Sequence, residues 1–259
     1  MPSTPTFDLG LEHVSLSFAT KNIFTDVTQG VNEGDRIGIV GRNGDGKSTL
    51  TLLMGRFYDV SGGSVRVDGV DVRDQKLAPL RSHIGYVPQE TFLFSDSLFE
   101  NIRFGRPDAD AARVENAADV AQATEFIDAM PDGYETVVGE RGMGLSGGQK
   151  QRTAIARAVL IDPTILVMDD STSAVDMETE YIIQQKLKKV LAGRTTFIIA
   201  HRISSVKNAD QILVMKDGAI AERGTHKELL AKKGIYYQMV QDQYRDLKNV
   251  QGQEVMANG

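Results

Sequence analysis

Short apolar runs alternate with longer amphipathic stretches along this chain, the pattern of an α/β fold in which buried strands follow helices. Arg36 to Val40 (RIGIV) reads as a buried strand. It runs into the glycine-rich segment Gly41 to Gly46, and then into a helix predicted from Lys47 to about Gly55. Val65 to Val67 and Val70 to Val72 flank an Asp68-Gly69 turn and predict a hairpin. Ile84 to Val87 is a further strand, stopped by Pro88. From about Glu90 to Leu160 the pattern changes. Alanine-rich segments, Asp110 to Val120 and Ala121 to Met130, have helical periodicity and few β-branched runs, so this stretch reads as a helical insert. Strand Ile165 to Met168, helix Met177 to Leu191 and strand Thr195 to Ala200 follow. Strands Gln211 to Met215 and Ala219 to Glu222 then flank the Asp217-Gly218 turn. A polar helix is expected from Gly234, fading into a tail over Gln251 to Gly259. No repeat or low-complexity linker interrupts the chain. The expectation is one domain: 1–88 and 161–245 as β-subdomain and core, 89–160 as a helical subdomain, and 246–259 as a polar tail.

Composition narrows the function classes. The 259 residues include no cysteine, which excludes a disulfide scaffold, a zinc-thiolate site and a cysteine nucleophile. Lys and Arg number 29 against 35 Asp and Glu, a net charge of −6. That balance disfavours a nucleic-acid partner, which calls for a basic face. No apolar run reaches the ~18–20 residues that a membrane-spanning helix needs, and MPSTPTFDLG lacks a secretory pattern. A cytoplasmic chain is expected.

The chemistry is concentrated at Gly41-Arg-Asn-Gly-Asp-Gly-Lys47-Ser48, which fits the phosphate-binding pattern G-x-x-x-x-G-K-[ST] between a strand and a helix. Glycines let successive backbone N–H groups turn inward onto phosphate oxygens. The helix that begins at Lys47 adds its positive end. Lys47 supplies a point charge, and Ser48 a hard oxygen for Mg²⁺. The nucleotide-binding set is then Gly41, Asn43, Gly44, Gly46, Lys47, Ser48 and Thr49. The apolar strand Ile165 to Met168 delivers Asp169 and Asp170 at its C-terminal end. Asp169 is expected at the metal and Asp170 nearer the γ-phosphate and the attacking water. Alone, two acids after a strand are commonly a solvated turn; the phosphate loop reverses that reading.

Further segments combine with these into one resemblance. Leu145-Ser-Gly-Gly-Gln149 looks like the signature motif of ABC ATPases, and Gln89 is similar to that family's Q-loop glutamine. Ser173-Ala-Val-Asp176 resembles the D-loop. His201 resembles the switch histidine, and Phe18 lies where the family places an adenine-stacking aromatic. Six motifs occur in family order between about Leu11 and Tyr244. The resemblance implies an α/β P-loop NTPase fold, with a RecA-like core, an N-terminal antiparallel β-subdomain and an inserted helical subdomain. It also implies ATP hydrolysis by two copies set head to tail. Each ATP would lie between Lys47 and Ser48 of one copy and Ser146, Gly147, Gly148 and Gln149 of the other, with Asp176 nearby. Mg²⁺ would be held by Ser48, Gln89 and Asp169; Asp170, Gln89 and His201 form the catalytic set. Ser146 also suits a plain helix cap, and Phe18 alone would suit a core position. His13, His83 and His226 are expected to be structural or surface residues.

Val138-Gly-Glu140-Arg-Gly142 and the segment Tyr86 to Phe104 resemble exporter-type ABC transporters, as do Thr195 to Val206 and Gly224 to Leu230. The resemblance implies a transmembrane exporter domain, on another chain or removed, contacted through Phe92, Phe94 and Glu140. It also implies a place at the cytoplasmic face of the membrane. Residues 38–47 instead resemble soluble ABC ATPases with duplicated domains, so a hybrid joined near Thr51 to Tyr58 is an expectation. A soluble ABC protein acting on ribosomes or nucleic acid is the weaker alternative, since it lacks a second ABC domain here. At position 170 the family carries Glu as its water-orienting group. Asp170 is one methylene shorter, a reach deficit of about 1–1.5 Å, and misplacement on that scale costs ~100-fold in rate. This resembles the weak-site subunit of heterodimeric exporters and implies slow hydrolysis, or an ATP-binding module that hardly hydrolyses.

Overall fold

The computed structural model describes residues 9–19 and 21–245; the polar tail expected over 246–259 lies outside them. β1 (Leu9–Phe18) pairs antiparallel with β2 (Lys21–Val31). The pairing slips between Leu11 and Val14 and again between Val14 and Leu16, where His13 takes a φ of 50°. These bulges break the strict alternation that marks a strand in sequence. β3 (Arg36–Gly41) and α1 (Lys47–Met54) follow, then the hairpin of β4 (Gly62–Val67) and β5 (Val70–Asp71). At its turn Asp68 and Gly69 both have positive φ, 54° and 71°, the geometry favoured in two-residue hairpins. α2 (Leu77–Ser82) leads into β6 (Ile84–Val87). The first sheet runs in the order β2-β1-β4-β5.

The helical insert holds α3 (Leu98–Arg103), α4 (Ala111–Val120), α5 (Thr124–Asp128) and α6 (Gly147–Leu160). α5 is shorter than its alanine pattern suggests, because Gln122 takes a left-handed φ of 55° and separates it from α4. Leu98, Ile102, Val114, Ala117, Ala118, Ile127 and Ile155 are buried together. The small alanines of α4 let it lie close on α6.

β7 (Ile165–Asp169), α7 (Met177–Val190), β8 (Thr195–Ile199), α8 (Ile203–Val206), β9 (Gln211–Lys216), β10 (Ala219–Gly224) and α9 (His226–Lys232) complete the set, and residues 235–245 are helical. The second sheet has the order β10-β9-β3-β8-β7-β6. It is parallel throughout except for the β9–β10 hairpin. Strands β7 and β8 are buried at every position, as a parallel sheet covered on both faces requires. One face packs Ile37, Ile39, Val167, Phe197 and Ile199 against the first sheet and α1. The C-terminal ends of β3 and β7 therefore lie close across β8, where ligands of open parallel sheets bind.

Candidate nucleotide site

The glycine-rich loop leaves β3 and enters α1 through Gly46, which has a φ of 89°. A Cβ at Gly46 would lie 2.5 Å from Cε1 of Phe24, so both the conformation and the packing demand glycine. Asp45 holds the loop from outside. Its Oδ2 accepts from the Arg42 N–H at 2.7 Å, and its Oδ1 from the Asp217 N–H at 3.3 Å. Lys47 is buried, and its Nζ donates to the carbonyl oxygens of Gly41 (3.0 Å) and Arg42 (2.8 Å). Burial lowers the Lys47 pKa, while the charges of Asp45, Asp169 and Asp170 pull it upward. A cation curled onto its own loop, facing three carboxylates, is poised to exchange two carbonyls for phosphate oxygens.

A cleft of about 360 Å³ brings together Asn43, Gly44, Gly46, Lys47, Ser48 and Thr49 with Gln89, Asp169 and His201. Lys21 and Ile23 of β2 close it from the first sheet. Asp169 is buried at the end of β7, where Tyr86 Oη of β6 donates to its Oδ2 at 3.1 Å. Burial drives the Tyr86 phenol well above its usual range, so it stays protonated. Asp170 leaves the strand with a left-handed φ of 45°, and its N–H donates to the Ile199 carbonyl at 2.8 Å. Among the described residues no three His, Cys, Asp or Glu side chains cluster as a self-sufficient metal site. A Mg²⁺ that shares its coordination with phosphates needs none, and Ser48, Gln89 and Asp169 offer hard oxygen donors in the cleft.

Ser146, Gly147, Gly148 and Gln149 do not line this cleft. They open α6 on the helical insert. The Ser146 Oγ accepts from the Gln149 N–H at 3.3 Å, while Gln149 Oε1 accepts from the Ser146 N–H at 2.9 Å, a reciprocal cap. A Cβ on Gly148 would lie 2.8 Å from the Ala174 carbonyl oxygen, so the start of α6 lies directly on the 170–176 turn. Gln151, also buried, ties the two: it donates to Ser173 Oγ at 3.1 Å and accepts from the Ala174 N–H at 3.0 Å. Asp176 caps α7 by accepting from the Thr179 N–H at 2.9 Å, and that bond lowers its pKa. On the other side Arg202 donates to the carbonyls of Ser173 (2.9 Å) and Val175 (3.2 Å) and pairs with the buried Glu180. Phe18 stands exposed at the end of β1, edge-on to Tyr58 at 5.1 Å, and does not line the cleft. Lys21 and Gln151 carry no motif that marks them in sequence, while Tyr86 and Arg202 sit inside segments with an exporter resemblance that does not itself point to them.

The model of the family "ABC transporter" matches residues 24–173. This chain belongs to the ABC transporter family, as an exporter-type nucleotide-binding domain. The "Uncharacterized ABC transporter ATP-binding protein YknU" of Bacillus subtilis (strain 168) is 53% identical over 247 residues, 95% of this chain and 42% of that protein. The "ATP-dependent lipid A-core flippase" of Chromohalobacter salexigens is 52% identical over 87% of this chain and 38% of its own length. Human "ATP-binding cassette sub-family B member 6" is 50% identical over 94% of this chain and 28% of its own. A structure described as a bacterial Atm1-family ABC exporter with ATP bound superposes with a TM-score of 0.90 at 40% identity, covering 94% of this chain and 44% of that one. The chain thus spans less than half the length of these relatives. The match to one relative runs over 247 residues, so it crosses Thr51 to Tyr58.

The ABC domain also carries an aromatic cluster on its helical insert. Phe92, Phe94 and Phe104 are exposed, with ring centroids 5.2 Å and 4.5 Å apart. Arg157 lies beneath them, its Nη1 donating to the Phe92 carbonyl at 3.0 Å and its Nε to the Asn101 carbonyl at 2.8 Å. Burial brings the Arg157 pKa down to about 10. Glu140 is exposed in the segment that precedes α6. Phe104 is the member that sequence reading did not single out. His13 is on the surface, paired with Asp26, and His226 is packed against Tyr236, with Nδ1 and Oη 2.7 Å apart. Among the described residues no helix is long and apolar enough to cross a membrane.

Proposed function

We propose that this ABC domain binds Mg-ATP in the cleft at Lys47 and hydrolyses it slowly to ADP and phosphate, between two copies set head to tail. One observation carries the reading: the phosphate loop, Gln89, Asp169 and His201 share a cleft that the signature residues do not line. Those residues lie exposed or half-exposed at the start of α6, which supports their being supplied to the cleft by a second copy. Lys47 binds the β- and γ-phosphates and neutralises their charge. Ser48, Asp169 and Gln89 would hold Mg²⁺, which supplies charge stabilisation at the bridging phosphate oxygens when bound. Asp170 orients the attacking water and accepts its proton; His201 donates toward the γ-phosphate. Ser146 and the N–H groups of Gly147 and Gly148 form an anion site for the partner's nucleotide. Phe18 stacks on the adenine after turning from Tyr58.

In this reading the domain powers a transmembrane exporter domain at the cytoplasmic face of the membrane, which docks on Phe92, Phe94, Phe104 and Glu140. Size-exclusion chromatography with and without Mg-ATP tests the pairing: ATP should shift the protein from one copy to two. Lys47→Ala should abolish both the shift and nucleotide binding. Retained ATP affinity in that variant would end the assignment of the loop. The short reach of Asp170 favours a second reading, an ATP-binding module with negligible turnover. Steady-state phosphate release separates the two.

A further inference from the structure

His201 makes no side-chain hydrogen bond among the described residues, although it lines the cleft. No side-chain hydrogen bond fixes its ring, so its place depends on where the backbone carries it. That backbone lies past the end of β8, outside the sheet ladder. The short helix α8 that follows starts at Arg202 with no side-chain cap, which leaves the N–H of its first residue, Ile203, in need of an acceptor. The acceptor comes from far along the chain. Gln243 Oε1 accepts from the Ile203 N–H at 3.0 Å, and Gln243 Nε2 donates to the His201 carbonyl. One carboxamide thus satisfies both backbone groups that bracket Arg202.

The platform for this carboxamide is firm. Tyr236 and Val240 are buried and share one helical face with Gln243 at the spacing i, i+4, i+7. The N–H groups of Ile235 and Tyr236 donate to the Glu222 carboxylate of β10 at 2.7 Å and 3.0 Å. Tyr236 Oη also meets His226 Nδ1.

We infer that Gln243 is a positioning residue for His201: its carboxamide, carried on the helical segment 235–245, sets where the imidazole meets the γ-phosphate. This rests on the nucleotide reading of the cleft. Arg202 fixes the 170–176 turn from the same loop, so Gln243 acts on His201 at the junction between that turn and the C-terminal segment.

The test is a double-mutant cycle with Gln243→Leu and His201→Ala, read as phosphate release per bound ATP and as the ratio of ADP to ATP dissociation constants. His201→Ala should lower both readouts. Gln243→Leu should lower turnover about tenfold, within the range that a misplacement below 1 Å costs, and reduce the preference for ATP over ADP, with ADP affinity unchanged. In the His201→Ala background it should add nothing. Gln243→Asn keeps the surface polar but falls one methylene short of bridging the two groups, so it should behave as the leucine variant does. Wild-type values in both Gln243 variants, or an equal loss with and without His201, would overturn the proposal. Wild-type values in His201→Ala would instead remove His201 from the site, and the proposal with it. The nucleotide ratio keeps the test decisive even where turnover is too slow to measure.

Discussion

Tyr86 and Asp169 face each other from adjacent parallel strands, the Tyr86 hydroxyl donating to the Asp169 carboxylate at 3.1 Å. The phenol is neutral and held that way by burial, so it orients the carboxylate without competing for its charge. In the proposed function Asp169 holds Mg²⁺, and the partners that orient such a carboxylate matter even though they never touch the ion. Tyr86→Phe should therefore weaken Mg-dependent ATP binding several-fold, the loss of one hydrogen bond to a charged group at about 1.5–3 kcal/mol being the upper limit. ATP affinity measured in excess chelator should not change. A Mg²⁺ titration of nucleotide binding reads both.

Position 170 sets two demands against each other. Its φ of 45° is a left-handed conformation, which Asp tolerates better than Glu does. Reach toward the attacking water favours Glu. Asp170→Glu is expected to raise single-turnover phosphate release ~10–100-fold while lowering the melting temperature slightly. Unchanged turnover would show that side-chain reach is not what limits the rate.

Gly148→Ala should strike the contact between the signature helix and the turn after β7, because its Cβ would lie 2.8 Å from the Ala174 carbonyl oxygen. Backbone cannot yield as a flexible side chain does, so a cost of about 1–3 kcal/mol is expected from overpacking. The ATP-induced shift to two copies should be lost as well. Thermal melting and size-exclusion chromatography distinguish the two effects.

His226 gives a pH signature. Burial, with the nearby charge of Lys207, lowers its pKa below the usual 6.5. The unfolded chain then binds the proton first, so stability is full above 6.5 and falls as the pH drops through the folded value. His226→Asn should flatten the acid side of the melting-temperature profile relative to the natural chain. Parallel profiles between pH 7.5 and 5 would contradict this.

Much of this molecule was legible before any coordinates. Buried parallel strands such as β7 and β8 announce themselves as unbroken apolar runs, and the glycine loop between β3 and α1 declares phosphate chemistry by residue type and order. β1 and β2 were not readable as strands, because bulges around His13 disrupt their alternation. The start of α5 was not readable for a similar reason: Gln122 turns the chain within an alanine-rich stretch that lacks a glycine or proline to signal it. Lys47, Ser48 and Asp169 were singled out because each belongs to a local pattern, and the fold brings them to one cleft. Tyr86, Gln151, Arg202 and Gln243 were not, because each acts across a gap that only tertiary packing closes. Gln243 reaches His201 from 42 residues away.

The separation of the signature residues from the phosphate cleft has a kinetic consequence. If each reaction centre is completed only by a neighbour, the rate per chain is not a constant of the chain. At low protein concentration, hydrolysis should scale with the square of concentration and fall steeply on dilution. Fixing two domains side by side would remove that dependence, so a membrane scaffold would act as a concentrator of its own motors.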